Sequence, residues 1–238
     1  MFTPAPRIEW PARSDLLECL KNAFLMAAAV LVLVLPTKPL GRASQATAAP
    51  AAGQVTANFN GQTASPDAQR LAHWVARSGD NHRLNFVILD KRNARVFVFD
   101  RQAQLIGTSP VLLGAAAGDD SVIGIGNRAI ADVRPEERTT PAGRFDAEPG
   151  RNSGGEDVLW VDYDAAVSMH RVRIVDPRER RLERLATPTP SDNRISYGCI
   201  NVPVRFFEDT IVPTFKGQRG VVYVLPEVKS LPAVFPAI

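Results

Sequence analysis

Short runs of β-branched and aromatic residues, separated by turn-forming residues, most strongly restrict the fold of this 238-residue chain. Two such runs, at 85–90 (NFVILD) and 94–100 (ARVFVFD), are separated only by Lys-Arg-Asn, which suits a hairpin turn. Similar runs follow at 104–113, 158–163, 167–172 and 220–225. The pattern predicts a mainly β domain with a curled, sandwich-like or barrel-like sheet and only one or two helices.

One short helix is predicted to precede this domain. Ser65 suits the N-cap position, Pro66 the first helical position, and Gly79 the end of a helix over 65–78. A second helix is predicted at 204–215, opened by Pro203. We therefore expect an N-terminal helical segment at 65–83, a β domain at 84–226 and a C-terminal tail at 227–238.

The N-terminal region has the composition of an export signal. An uncharged apolar run at 23–35 would form a helix of about 20 Å, which is shorter than the ~30 Å hydrocarbon core of a bilayer. Lys21 precedes the run and an Ala-Thr-Ala sequence at 46–48 follows it. Residues 1–48 are therefore predicted to be a secretory signal peptide, with an uncleaved membrane anchor as the alternative. The segment 49–64, rich in Ala, Gly, Gln and Thr, is predicted to be a flexible linker, and the protein to act in the periplasm or cell wall.

Cysteine usage singles out one thiol. The chain has two cysteines, Cys19 and Cys199, and cleavage of the signal peptide would leave Cys199 alone in an oxidising compartment. Such a thiol is either buried and inert or reactive. Gly198 permits a tight turn whose main-chain N–H groups could bind an oxyanion, and the helix predicted soon afterwards would favour the thiolate. Cys199 is therefore a candidate nucleophile, with a small buried apolar residue as the alternative.

A cysteine nucleophile needs a group that accepts its proton, usually a histidine. Of the three histidines, His73 lies in the predicted first helix and His82 in the following loop, whereas His170 lies on a predicted strand of the β domain. His170 is therefore the predicted general base. One cysteine and one histidine do not supply the ligands of a tetrahedral metal site, so neither a metal nor another cofactor is predicted.

Two ordered motifs then suggest a family. The first is Thr-Pro-Ala-Gly-Arg-Phe at 140–145, and the second is Ser-Tyr-Gly-Cys-Ile-Asn at 196–201, with His170 between them. Over about 84–225 the chain resembles the L,D-transpeptidases with a YkuD-type catalytic domain. It differs from their pattern at Tyr197, where the family has histidine, and at Arg171, where glycine is frequent.

The resemblance implies a cysteine L,D-transpeptidase of peptidoglycan biosynthesis, whose partners are peptidoglycan stem peptides. Cys199 would form a thioester, and His170 would act as the base. The N–H groups of Gly198 and Cys199 are expected to form the oxyanion site, with support for the turn from Ser196, Tyr197 and Asn201. The alternatives are an L,D-carboxypeptidase, an enzyme that anchors proteins to peptidoglycan, and a non-catalytic wall-binding module.

A basic stretch follows the predicted base. Residues 171–184 contain six arginines and three acidic residues. We expect substrate carboxylates to be bound here by Arg171, Arg178, Arg180 and Arg181, with a solvated charged loop as the alternative. The formal net charge of only +3 does not favour a nucleic-acid partner. The sequence leaves the oligomeric state open.

Overall fold

The computed structural model describes residues 55–238 and is mainly β, as predicted. The helices are α1 (Pro66–Ser78), α2 (Arg181–Ala186), α3 (Val204–Phe206), α4 (Val212–Phe215) and α5 (Leu231–Val234), with a π-helical turn at Phe207–Ile211 between α3 and α4. The strands are β1 (Phe86–Asp90), β2 (Arg95–Phe99), β3 (Leu105–Pro110), β4 (Leu113–Gly114), β5 (Gly143–Arg151), β6 (Asp157–Asp162), β7 (Val167–Arg171), β8 (Arg194–Ser196), β9 (Ile200–Val202) and β10 (Gly220–Val224).

Eight strands form one curled sheet in the order β3-β2-β1-β10-β5-β6-β7-β9, and β4 pairs with β8 in a two-stranded sheet. The β1–β10 and β7–β9 pairs are parallel, and the other neighbours in the large sheet are antiparallel. Leu112, just after β3, exchanges backbone hydrogen bonds of 2.8 and 2.9 Å with Asn201 on the edge strand β9. The sheet is thereby nearly closed on itself, which confirms the predicted curled architecture.

The apolar residues of the sheet separate into two cores. On β1, Val87 and Leu89 belong to one core and Phe86 and Ile88 to the other, because successive side chains of a strand point to opposite faces. The first core is covered by the helical stretch 204–215 and the second by α1. Both faces of β1 are therefore buried, which explains its continuous apolar sequence.

The predicted helix at 65–78 is confirmed as α1. The Ser65 side chain accepts a hydrogen bond from the Ala68 N–H, and Gly79 ends the helix with a φ of 70°. This is the left-handed conformation that favours glycine. The strands predicted at 85–90 and 94–100 are also confirmed, as β1 and β2.

The expected linker does not extend over residues 57–60. The backbone of Asn58 bonds to Ala103 and Leu105, and Phe59 packs edge-on against Phe97 and Phe99. The expected tail at 227–238 is folded as well, because α5 places Leu231 in the core that α1 covers. Residues 1–48, the predicted signal peptide or anchor, lie outside the described residues. Within 55–238, no helix combines the length and apolar content needed to cross a membrane.

Candidate active site

Parallel pairing of β7 and β9 brings the two predicted catalytic residues together. In this register His170 lies beside Asn201, and Cys199 immediately precedes β9. Ser168 and His170 are two residues apart on β7, so both project from the same face. Ser168 Oγ lies 3.8 Å from Cys199 Sγ. The result is a thiol, a hydroxyl and an imidazole grouped at one end of the strand pair.

The surroundings of the Cys199 thiol favour its ionisation. Burial by itself raises the pKa of the thiol, but hydrogen bonding and charge from His170, together with hydrogen bonds from Ser168, lower it by more. The net effect places the pKa below its ordinary value. A larger fraction of thiolate is therefore present near neutral pH, and the thiolate is the nucleophilic form.

The ring of His170 is oriented by its own strand. Nδ1 lies 2.7 Å from the backbone carbonyl oxygen of Arg171. Since a carbonyl can only accept, Nδ1 carries the hydrogen and donates it. The other nitrogen, Nε2, is left as the basic atom of the neutral ring, which suits proton transfer with the thiol.

The turn before Cys199 depends on Gly198. Its φ is +131°, and a Cβ at this position would lie 2.8 Å from the carbonyl oxygen of Thr139. An alanine would therefore combine backbone strain with a collision against main chain. The backbone conformation that the sequence expected Gly198 to permit is present, and the space at this position fits no larger residue.

Two side chains hold this turn around the Cys199 carbonyl. Ser196 Oγ donates to the Cys199 carbonyl at 2.6 Å and accepts from the Gly198 N–H at 3.1 Å, while Asn201 Nδ2 donates to the same carbonyl at 3.1 Å. The assignment of the Gly198 N–H to an oxyanion site is therefore wrong, because this group bonds within the turn. The Cys199 N–H remains the candidate donor.

The thiol does not lie at a helix N-terminus, so that part of the sequence argument is wrong. Strand β9 follows Cys199 directly, and helical structure begins only at Val204. The thiol owes its acidity to His170 and Ser168 instead.

Thr140, the first residue of the other motif, contacts the nucleophile turn directly. Its fully buried hydroxyl accepts from the Gly114 N–H at 2.9 Å and donates to the Gly198 carbonyl at 2.8 Å. Its own carbonyl accepts from the buried ammonium of Lys91 at 2.8 Å, which also pairs with Asp119 at 2.8 Å. Sequence reasoning used the motif only as a resemblance and missed this role, because 58 residues separate Thr140 from Gly198.

Tyr197 lies at the surface of the site. Its side chain is 40% exposed, and the guanidinium carbon of Arg138 lies 4.0 Å from the centre of its ring. The aromatic ring thus faces outward beside the buried turn rather than supporting it from within.

The four arginines expected to bind substrate all pair with carboxylates of the chain itself. Arg181 also donates to Asn201 Oδ1 at 2.9 Å, which connects it to the nucleophile turn. Arg171 extends to Glu208 and lies over the ring of Phe207. The four pairs are Arg171–Glu208, Arg178–Asp176, Arg180–Glu183 and Arg181–Glu179.

No protein-family model and no curated protein matches this chain. Among solved structures, it is similar to the helical cell shape determining protein Pgp2 from Campylobacter jejuni, with 15% identity, a TM-score of 0.38, and coverage of 66% of this chain and 55% of that one. It is also similar to the catalytic domain of an E. faecium L,D-transpeptidase, with 16% identity, a TM-score of 0.33, and coverage of 59% and 96%. A third is the Ldtfm-avibactam carbamoyl enzyme, with 15% identity and a TM-score of 0.37, where the match covers 60% of this chain and about half (49%) of that one. At these identities, function has to be inferred from the site itself.

Proposed function

We propose that this protein is a cysteine acyltransferase of the L,D-transpeptidase type, acting on peptidoglycan stem peptides. The observation that carries the proposal is the grouping of Cys199, His170 and Ser168, in which the pKa of the thiol is lowered and the basic Nε2 of the imidazole is set by a backbone contact. The motif resemblance supplies the substrate class. A cysteine that merely filled the core would need neither neighbour.

The first half-reaction forms a thioester. Cys199 Sγ attacks the carbonyl carbon of the bond before the terminal D-alanine of a tetrapeptide stem, and His170 Nε2 takes the thiol proton. The Cys199 N–H stabilises the negative oxygen of the tetrahedral intermediate. The carbon–nitrogen bond then breaks, His170 returns the proton to the leaving amine, and D-alanine departs.

The second half-reaction transfers the acyl group. A side-chain amine of a second stem attacks the thioester, His170 accepts the proton that the amine loses, and the Cys199 thiol is regenerated with that proton. The product is a peptide cross-link. The same thioester would give a carboxypeptidase if water attacked, or an anchoring enzyme if a protein amine attacked.

The test incubates the protein with a disaccharide tetrapeptide and follows D-alanine release and cross-linked dimer by mass spectrometry. We expect both products, and we expect Cys199→Ala to yield neither. D-alanine without dimer would indicate hydrolysis or a protein acceptor. Binding of the peptide with no release of D-alanine would contradict the proposal and favour a wall-binding module.

A further inference from the structure

The loop between β4 and β5 carries an arginine whose charge is not neutralised by the described part of the chain. Arg138 is half-buried, and within residues 55–238 no carboxylate lies within 4.0 Å of its guanidinium. This distinguishes it from the four arginines predicted from the sequence. We propose that Arg138 and the ring of Tyr197 form a carboxylate-binding subsite at the mouth of the site, which selects stem peptides by one of their carboxylates.

The acidic neighbours of Arg138 are already occupied. Glu137 precedes it in the chain, but this buried carboxylate pairs with Arg128 and Arg134, both at 3.0 Å. Glu136 lies 3.4 Å from Arg134. Glu136 and Glu137 are thus paired with Arg128 and Arg134, and within residues 55–238 Arg138 is the one of these three arginines with no carboxylate within 4.0 Å.

The orientation of Arg138 suits an incoming ligand. Its Nε and Nη2 both donate to the Val133 carbonyl, at 3.3 and 3.2 Å, and among the described residues Nη1 has no hydrogen-bond acceptor. The Nη1 and remaining Nη2 hydrogens form the planar fork that binds a carboxylate through two parallel hydrogen bonds. Contact with the Tyr197 ring, at 4.0 Å, holds the guanidinium plane in position.

The loop that carries Arg138 contacts the nucleophile turn, and the guanidinium lies over the ring of Tyr197. Tyr197 lies two residues before Cys199, and the Thr139 carbonyl approaches Gly198 so closely that a Cβ there would be only 2.8 Å away. The Arg138 carbonyl accepts from the Ala116 N–H at 3.1 Å, which fixes the main chain at this point. The proposed subsite requires that a peptide whose scissile carbonyl lies at Cys199 presents one carboxylate to the guanidinium over Tyr197.

The inference rests on the proposed function for its substrate class. A tetrapeptide stem offers three carboxylates: on the second residue, on the side chain of a diaminopimelate third residue, and on the terminal D-alanine. All three have the chemistry that a guanidinium fork recognises. Three peptide analogues, each with one carboxylate converted to an amide, distinguish these sources.

The experiment measures binding without turnover. Isothermal titration calorimetry compares the free-acid tetrapeptide with the three amides, using the Cys199→Ala protein with and without Arg138→Gln. We expect one amide to bind roughly 10- to 100-fold more weakly than the free acid, as for loss of a charged hydrogen-bonded pair. The ratio of the dissociation constants of this amide and the free acid should fall to about 1 in Arg138→Gln. In Arg138→Lys, which retains the charge without the fork, the preference should be only partly kept.

Arg205→Gln is the matched control, since the Arg205 side chain is 94% exposed and its one ion pair within residues 55–238 is with Asp209, at 3.6 Å. It should keep the full preference. Equal weakening of all four peptides in Arg138→Gln, an unchanged preference, or no binding of the free acid at millimolar peptide would each overturn the subsite. D-alanine release is measured separately, with the protein that retains Cys199. Failure of the proposed reaction can therefore be told apart from failure of the binding preference.

Discussion

The hydroxyl of Thr140 donates a 2.8 Å hydrogen bond to the carbonyl of Gly198, so the two sequence motifs meet at the turn that carries the nucleophile. The same hydroxyl accepts from the Gly114 N–H at 2.9 Å. One fully buried side chain therefore joins the start of the β4–β5 loop, its end, and the residue before Cys199. The position of the thiol depends on this junction as well as on the β7–β9 pairing.

Replacing Thr140 tests that junction. Thr140→Val preserves shape but leaves the Gly114 N–H and the Gly198 carbonyl without their buried partner. We expect the free energy of unfolding to fall by about 2 kcal/mol or more, since each unsatisfied buried group costs about 1–3 kcal/mol. Denaturant unfolding measures the loss. Thr140→Ser keeps the hydroxyl and should recover most of the stability, and equal losses in both variants would show that packing rather than hydrogen bonding is responsible.

The lowered pKa of the Cys199 thiol predicts a shifted pH profile. Alkylation by iodoacetamide follows the thiolate, so its rate should reach half of its maximum at a lower pH than for a free cysteine. His170→Ala removes the main group that lowers the pKa of the thiol, whereas burial, which raises this pKa, remains. The midpoint of the alkylation profile should therefore move to higher pH. An identical pH profile in both proteins would show that His170 does not lower the pKa of the thiol.

The role of His170 as the base is tested by acylation. A carbapenem should form a covalent adduct on Cys199, as the family resemblance implies, with a mass increase detectable in the intact protein. His170→Ala should slow adduct formation by roughly 10²- to 10⁴-fold, the usual contribution of general acid–base catalysis. Acylation at the rate of the unmodified protein would exclude His170 as the base and direct attention to His82.

Arg181 is predicted to act through Asn201 rather than on the substrate. Its side chain is only 12% exposed and donates to Asn201 Oδ1, while Asn201 Nδ2 holds the Cys199 carbonyl. Arg181→Gln should therefore lower kcat by roughly tenfold with little change in KM, and added salt should not restore it. A rise in KM that shrinks at high salt would instead indicate direct binding of substrate carboxylates, because exposed charges are screened over about 8–10 Å.

Parts of the fold were predictable because their signals are local. The helix α1 has a cap, a proline and a glycine in the expected places, and β1 and β2 are continuous apolar runs. Strand β5 was not predicted, although it spans nine residues, because Pro149 and Gly150 interrupt its pattern and only Ala147 is buried. It is a strand because β10 and β6 pair with it on either side.

The candidate site, like the fold, was predictable from the sequence only in part. By itself, the sequence determined which residue types could react: a cysteine after glycine, a histidine on a strand, and a second motif far away. Only the tertiary structure decided which partners they have, because parallel pairing of β7 with β9 sets Ser168 and His170 against the thiol, and β9 rather than a helix follows Cys199. Charge followed the same rule. Arg178, Arg180 and Arg181 pair with carboxylates two or three residues away in the chain. Arg138 instead lies over Tyr197, which is distant in sequence and is brought beside it only by the fold.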